Sequence, residues 1–402
     1  MLASQAMPKV AILAVVAALG LTACGGTDTN GSAKSGDATQ VAVTLAKSGG
    51  NDACTADKTS VPAGPVTFTV TNKDATGITE FELLSGQKII GEKENLVPGL
   101  DPVTFTLTLG GGNYEIYCPG ATPEKSAFKV TGKAAAAPKG TAAQLLSKGS
   151  AEYGTYVNTQ LDGMLVGVQA LQAAVDSGDL AAAQKAYADS RPFYEKIESD
   201  VEGFVLDGFD ATDNNGNLDY LIDMRESNLD PAVGWHGFHA IERDLFEGQK
   251  ITDGTKKYAA ELTSNVAKLV KVGKTLTFKP EDLANGAAGL LEEVQSGKVS
   301  GEEELYSHID LLDFAGNVEG AQQAFEALKP GLEELDASLV KTISSRFQKV
   351  ADLLDTYKDP KELGGYKRYT EELKASDANK LSQTVQALQD ALANLAEKVA
   401  TA

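Results

Sequence analysis

The sequence predicts two domains of different class, an N-terminal all-β sandwich and a C-terminal all-α helical bundle. Three observations predict it. At 402 residues the chain is longer than one hydrophobic core usually serves. Over residues 38–132 apolar residues alternate with polar ones, which buries one face of a strand. From residue 142 onward they recur at three- and four-residue spacing, which buries one stripe of a helix.

The chain begins with a targeting segment. Lys9 supplies a positive start, and Val10 to Leu21 is an apolar run too short to span a bilayer comfortably. It ends in Leu21-Thr22-Ala23-Cys24, followed by Gly25 and Gly26. Small residues leading into a cysteine at that place resemble a bacterial lipobox. The resemblance implies that residues 1–23 are a lipoprotein signal peptide and that the Cys24 thiol carries diacylglycerol. An exported protein, lipid-anchored to the outer face of the cytoplasmic membrane in the cell envelope, is then expected. Residues 24–37 are rich in Gly, Ser, Thr and Asp and too poor in apolar groups to fold, so they read as a tether.

In the first domain, residues 38–132, five strands are legible. Val41, Val43 and Leu45 alternate with polar or small neighbours; Val66, Phe68 and Val70 alternate with threonines, as do Val103, Phe105, Leu107 and Leu109. Tyr114, Ile116 and Cys118 repeat the pattern, and Phe128 and Val130 close the set. Several short antiparallel strands between Gly, Pro and Asn turns make a small sandwich.

Residues 133–141 (KAAAAPKGT) are a linker, and residues 142–402 are the helical domain. Ser177-Gly178-Asp179 stops one helix and caps the next. Leu381, Val385, Leu388, Leu392, Leu395 and Val399 form one stripe, as of a single long helix. Ile309, Leu312, Gly316, Ala321 and Phe325 mark another helical stretch. Residues 205–230 are polar and read as a long loop, a kind of segment that is often functional.

Charge narrows the function. With 36 Lys and Arg against 56 Asp and Glu, the net charge is −20. That argues against nucleic acid, whose phosphates are bound by Lys and Arg. It suits a carrier of cations, as well as mere solubility. All three histidines, His236, His239 and His308, lie in the helical domain. His236, His239 and Glu242 follow one another at three-residue spacing, so on a helix their side chains share a face. Such a helix gives a metal one nitrogen and one oxygen ligand, and a bundle interior can add carboxylates from facing helices. Glu195 and Glu198, also three apart, Asp223, and the Glu302-Glu303-Glu304 run are the candidates. One imidazole among carboxylates is a hard set that favours iron over copper(I) or a thiolate zinc site.

The stretch Gly234-Trp235-His236-Gly237-Phe238-His239-Ala240-Ile241-Glu242 resembles the GxHxxE region of the imelysin-like (M75) family. Tyr194-Glu195-Lys196-Ile197-Glu198, Ile222-Asp223-Met224-Arg225 and residues 300–317 match in the same order. The resemblance covers both domains and implies a cupredoxin-like sandwich followed by an imelysin-like bundle. It also implies the iron-binding component of a bacterial iron importer, with iron (Fe2+ or Fe3+) as cargo. Its partners would be a membrane iron permease and a haem peroxidase. It carries metal ligation to His239, Glu242, Glu195, Glu198 and Asp223, with Glu302 as a weaker addition. The peptidase label of the family fits the residues poorly. A zinc protease helix uses His-Glu-x-x-His, and His-x-x-Glu has neither the second His nor an evident base, so no enzyme activity is expected. A metallopeptidase and a copper-binding exported protein are the rival readings.

For the sandwich, the resemblance implies Cys54, Glu80 and Cys118 as metal ligands, with Glu92 or Glu94 as additions and Cu2+ or Zn2+ as the ion. Ile116 stands where a Met ligand is expected, and the domain has no His, so a blue-copper centre, which needs two imidazoles and a thiolate, is excluded. Cys54 and Cys118 could equally form a disulfide in an oxidising compartment, and the residues leave both alternatives open.

Overall fold

The chain is an N-terminal β-sandwich followed by an α-helical bundle, seen in a computed structural model that describes residues 37–86, 88–133 and 139–402. The lipobox and Cys24 lie outside the described residues. Nine strands are described: Thr39–Ser48 (β1), Asn51–Ala56 (β2), Ser60–Pro62 (β3), Gly64–Asn72 (β4), Phe81–Ser85 (β5), Lys88–Lys93 (β6), Val103–Leu109 (β7), Gly112–Tyr117 (β8) and Lys125–Thr131 (β9). They form a four-stranded sheet in the order β2-β1-β4-β7 and a five-stranded sheet in the order β3-β9-β8-β5-β6.

The alternating residues do what their period requires. Val41, Val43, Leu45, Val66, Phe68 and Val70 are buried on the inner face of the first sheet, opposite Phe81, Leu83, Ile116, Phe128 and Val130 of the second. Register places Phe68 opposite Phe105 on β7, where the rings stack at 5.1 Å between centroids. Cys54 on β2 and Cys118, one residue past β8, join the two sheets through a disulfide across Cα atoms 6.3 Å apart.

The bundle comprises Thr141–Ser177 (α1), Leu180–Glu195 (α2), Glu198–Val201 (α3), Leu218–Asp223 (α4), Gly237–Glu242 (α5), Asp253–Gly273 (α6), Pro280–Glu293 (α7), Asp310–Asp355 (α8), Glu371–Leu392 (α9) and Leu395–Ala400 (α10). Gly178 takes the left-handed conformation that ends α1, and the Asp179 carboxylate accepts from the Ala182 N–H to start α2. The apolar stripe from Leu381 to Val399 is buried throughout. It runs over two helices rather than one, because the chain departs from helix between α9 and α10. The long 205–230 segment is likewise not all loop, since α4 and a single 3₁₀ turn, Glu226–Asn228, lie within it. No described helix is long and apolar enough to cross a membrane.

Sandwich and bundle belong to one compact unit, residues 35–402. Lys93 Nζ donates to Glu292 at 2.6 Å, the Asn285 amide donates to Thr106 O at 2.7 Å, and Lys125 pairs with Asp210 at 2.8 Å. Leu84 and Ile89 on the outer face of the second sheet pack against Ala211 of the bundle.

Candidate metal centre

Five segments of the bundle bring their polar side chains to one buried place. α2 supplies Arg191 and Glu195, α4 supplies Asp223, and α5 supplies His239 and Glu242. The turn before α8 supplies Glu303 and Glu304, and α8 itself supplies Asp310 and Asp313. Two π-helical turns flank the centre. Arg243–Glu247 follows α5 directly, and Val294–Lys298 delivers the buried Lys298. Such turns rotate the following side chains off the α-helical register and are frequent at functional sites.

Gly237 explains how α5 comes so near to α4. Its φ is +69°, and a Cβ there would land on the Ile222 carbonyl oxygen. Only glycine permits both the conformation and the approach. Gly237→Ala is therefore expected to cost about 2–4 kcal/mol through strain and displaced backbone. It should also weaken metal binding, because it separates His239 from Asp223; a thermal melt and a metal titration check the two effects.

His239 is the only imidazole in the centre. Its Nδ1 lies 2.9 Å from Glu242 Oε2. The other carboxylate oxygen, Glu242 Oε1, accepts from the backbone N–H groups of Tyr306 at 2.8 Å and Ser307 at 2.7 Å. His239 Nε2 is buried and makes no close hydrogen bond. It faces Asp223 Oδ1 and Glu303 Oε1, each at 3.5 Å. A histidine with one nitrogen fixed by a carboxylate and the other turned toward further carboxylates is arranged as metal-ligating imidazoles usually are. Among the described residues three sets of donor atoms, each within 4.8 Å of one another, could hold an ion: Asp223, His239 and Glu303; His239, Glu242 and Glu304; and Glu195, Glu303 and Asp313.

Two buried cations share these carboxylates. The Arg191 guanidinium pairs with Glu195 and Asp223, and lies 3.1 Å from Glu303, 2.9 Å from Glu304 and 3.1 Å from Asp313. Lys298 Nζ lies 3.1 Å from Glu195, 3.3 Å from Glu303 and 3.5 Å from Glu198. Protonation follows from these surroundings. Burial opposes ionisation of Glu303, but Lys298 and Arg225 hold its carboxyl well below the usual range. Burial keeps Glu198, Glu304 and Asp313 well above it, and lifts Asp223 to about 6 against the pull of Arg191. Burial alone would hold the His239 imidazole down, yet Glu242, Glu303 and Asp223 outweigh it and push it up to about 10. Without metal, a proton takes the place of the cation.

The residues singled out in the sequence fare differently. His239, Glu242, Glu195 and Asp223 meet here. Glu198 is buried but turned to Lys298, outside the three sets. Glu302 is exposed, and its neighbours Glu303 and Glu304 are the ones that face inward in the turn after Gly301. His236 faces Glu261 at 3.6 Å, and His308 is half-buried in a left-handed turn beside the centre.

In the sandwich, the disulfide leaves neither Cys54 nor Cys118 as a thiolate, so the three-ligand set with Glu80 is not present in this form. Glu80 instead interacts with Glu82, Glu92 and Glu94, and with Arg225 of the bundle. The Glu92 carboxyl hydrogen-bonds that of Glu202. Register places Glu82 opposite Glu92, an unfavourable pair if both are charged. Burial, and then Glu92 and Glu80, raise Glu82 to about 9.

Comparison with known proteins shows the family. The imelysin (Peptidase M75) family model matches residues 149–399. The chain is 36% identical over 367 residues to the iron uptake system component EfeO of Yersinia pestis, covering 90% of this chain and 92% of that protein. It is 34% identical over 368 residues to the protein of the same name from Escherichia coli O1:K1, with the same coverage. Rusticyanin from Thiobacillus ferrooxidans is similar at 18% identity over 24% of this chain and 79% of that one, with a TM-score of 0.21. The chain belongs to the imelysin (M75) family and, within it, to the EfeO group.

Proposed function

We propose that the chain is the extracytoplasmic iron-binding component of an iron-uptake system, and that His239 Nε2, Asp223 and Glu303 hold the iron in the bundle. The observation that carries this is the buried, unpaired His239 Nε2 facing two carboxylate oxygens at 3.5 Å while Glu242 fixes Nδ1. One nitrogen and several oxygens form a hard donor set, which suits Fe2+ or Fe3+. Glu242 then orients the imidazole rather than ligating, since both its oxygens are engaged. The relatives' name, iron uptake system component, supports iron as cargo. Delivery to an EfeU-like membrane permease, with an EfeB-like haem peroxidase as second partner, follows from the resemblance. Lipid at Cys24 would hold the protein beside the permease and raise its effective concentration there.

The metallopeptidase reading has little support. Hydrolysis needs a carboxylate free to take a proton from a metal-bound water, and Glu242 has no free oxygen. Copper or zinc on Cys54 and Cys118 would require their bridge to be reduced first, since a cysteine ligates as the thiolate. Calorimetry with Fe(II), Fe(III), Cu(II) and Zn(II) tests the main reading. Iron is expected to bind wild type, and Asp223→Asn to bind it at least tenfold more weakly. Equal binding by the variant would remove Asp223 from the site.

A further inference from the structure

Arg191 stands where a cargo cation would have to go. It is fully buried near the end of α2, and its guanidinium touches five carboxylates. Each of the three donor sets that could hold an ion contains a carboxylate already paired with it: Asp223 and Glu303 in the first, Glu304 in the second, and Glu195, Glu303 and Asp313 in the third. In the first set the overlap reaches individual atoms. Asp223 Oδ1 and Glu303 Oε1, the two oxygens facing His239 Nε2, are the oxygens that Arg191 holds. A metal ion cannot take them without sharing them with a guanidinium a few ångströms away.

A lysine in that place could lose its proton to make room. A guanidinium cannot, since it stays charged at any accessible pH. Arg191 must therefore either withdraw or remain as a repelling neighbour. It also lies over the Phe238 ring, 5.0 Å from the centroid. Phe238 precedes His239, so a shift of the guanidinium is felt directly beside the imidazole. Lys298 has a different place. It meets Glu195 and Glu303 through their other oxygens, Oε2, and leaves those facing His239 alone.

We propose that Arg191 is an internal counter-ion that fills the carboxylate cage when no metal is held, competes with the cargo cation for Asp223 and Glu303, and so keeps the affinity low enough for release. The inference rests on the iron-binding reading above. It assigns Arg191 a role opposite to that of a ligand: removing it should tighten binding, while removing any ligand loosens it. A carrier that hands its cargo on needs such a competitor, because carboxylate oxygens that nothing else claims would hold a hard ion too long.

The test is Fe(II) binding under anaerobic conditions, with Zn(II) as a redox-inert second probe, on the full chain and on Arg191→Met and Arg191→Lys. Arg191→Met should melt at a lower temperature without metal, bind Fe(II) at least tenfold more tightly than wild type, and show a larger rise in Tm on adding metal. Arg191→Lys, which keeps the charge until a metal displaces its proton, should bind with an affinity between those of wild type and Arg191→Met. Wild type that binds neither metal overturns the binding reading and this inference with it. Wild type that binds, beside a folded Arg191→Met that binds equally or less tightly, overturns this inference alone. Should Arg191→Met fold only when refolded with Fe(II) or Zn(II), the metal has replaced the lost cation, and the inference stands. Failure to refold with either metal, while Arg191→Lys folds and binds, overturns it.

Discussion

His239→Ala is expected to weaken iron binding at least a hundredfold, and Glu242→Gln by about ten- to a hundredfold. The order follows from what each group does. His239 supplies the only imidazole in the cage, and its Nε2 has no hydrogen-bond partner and faces Asp223 and Glu303. Glu242 acts at one remove. Its Oε2 accepts from His239 Nδ1–H, which leaves Nε2 with the lone pair that a metal needs. Its Oε1 is anchored by two backbone N–H groups of the turn that also carries Glu303 and Glu304. A glutamine keeps the shape but has one acceptor oxygen for three donors. If that oxygen stays with Tyr306 and Ser307, the amide N–H₂ faces His239 Nδ1 and favours the tautomer with the proton on Nε2, which cannot ligate. Calorimetric titration of both variants, with circular dichroism to check that each folds, measures the difference. A larger loss in Glu242→Gln than in His239→Ala would make Glu242 the ligand and His239 its support.

Much of this was legible in the residues, and the part that was not has physical causes. Period-2 patterns revealed β1, β4, β7, β8 and β9 because those strands have one inner and one outer face. β2, β3 and β6 are short and mostly half-exposed, and β5 is buried on both faces under the bundle, so none shows a clean alternation. His239 and Glu242 were visible as a spaced pair on one helix. Arg191 and Lys298 were not, because a buried cation reads in sequence like any surface Lys or Arg, and only the convergence of carboxylates from other segments gives it a partner. The same limit misplaced Glu302. In a run of three glutamates, the ones that turn inward are chosen by the backbone of the turn, which composition does not encode. The pairing of Cys54 with Cys118 stayed open because the choice depends on how near two distant strands come.

The metal-free protein is expected to lose stability as pH rises from about 5 to 9, the reverse of the usual behaviour of proteins rich in ion-paired carboxylates. Burial raises Glu82 to about 9 and Asp310 to about 7, and it raises Glu92 to about 7 although Glu202 hydrogen-bonds it. The His239 imidazole stands near 10. Each folded-state value lies above the unfolded one. The folded chain therefore binds more protons throughout this window, and stability falls with rising pH. For each group the contribution is complete below its unfolded value and is lost as pH passes its folded value. Glu303 has the opposite sign, since it is held ionised in the fold, but its contribution is lost only in acid, below the window. At about 1.4 kcal/mol per proton per pH unit, two extra bound protons lower Tm by several degrees between pH 5.5 and 8.5, on the order of 5–10 °C. Scanning calorimetry in metal-free buffers measures it, and a Tm that rises over this range would contradict the buried protons. Two groups can be separated within the effect. Saturating iron should remove the share due to His239, since the metal displaces its proton. Glu82→Gln should remove the share due to Glu82, which stands opposite Glu92 across β5 and β6. A Glu82→Gln protein with the full wild-type slope would mean that Glu82 holds no extra proton in the fold, and would leave Glu92, Asp310 and His239 as the sources of the effect.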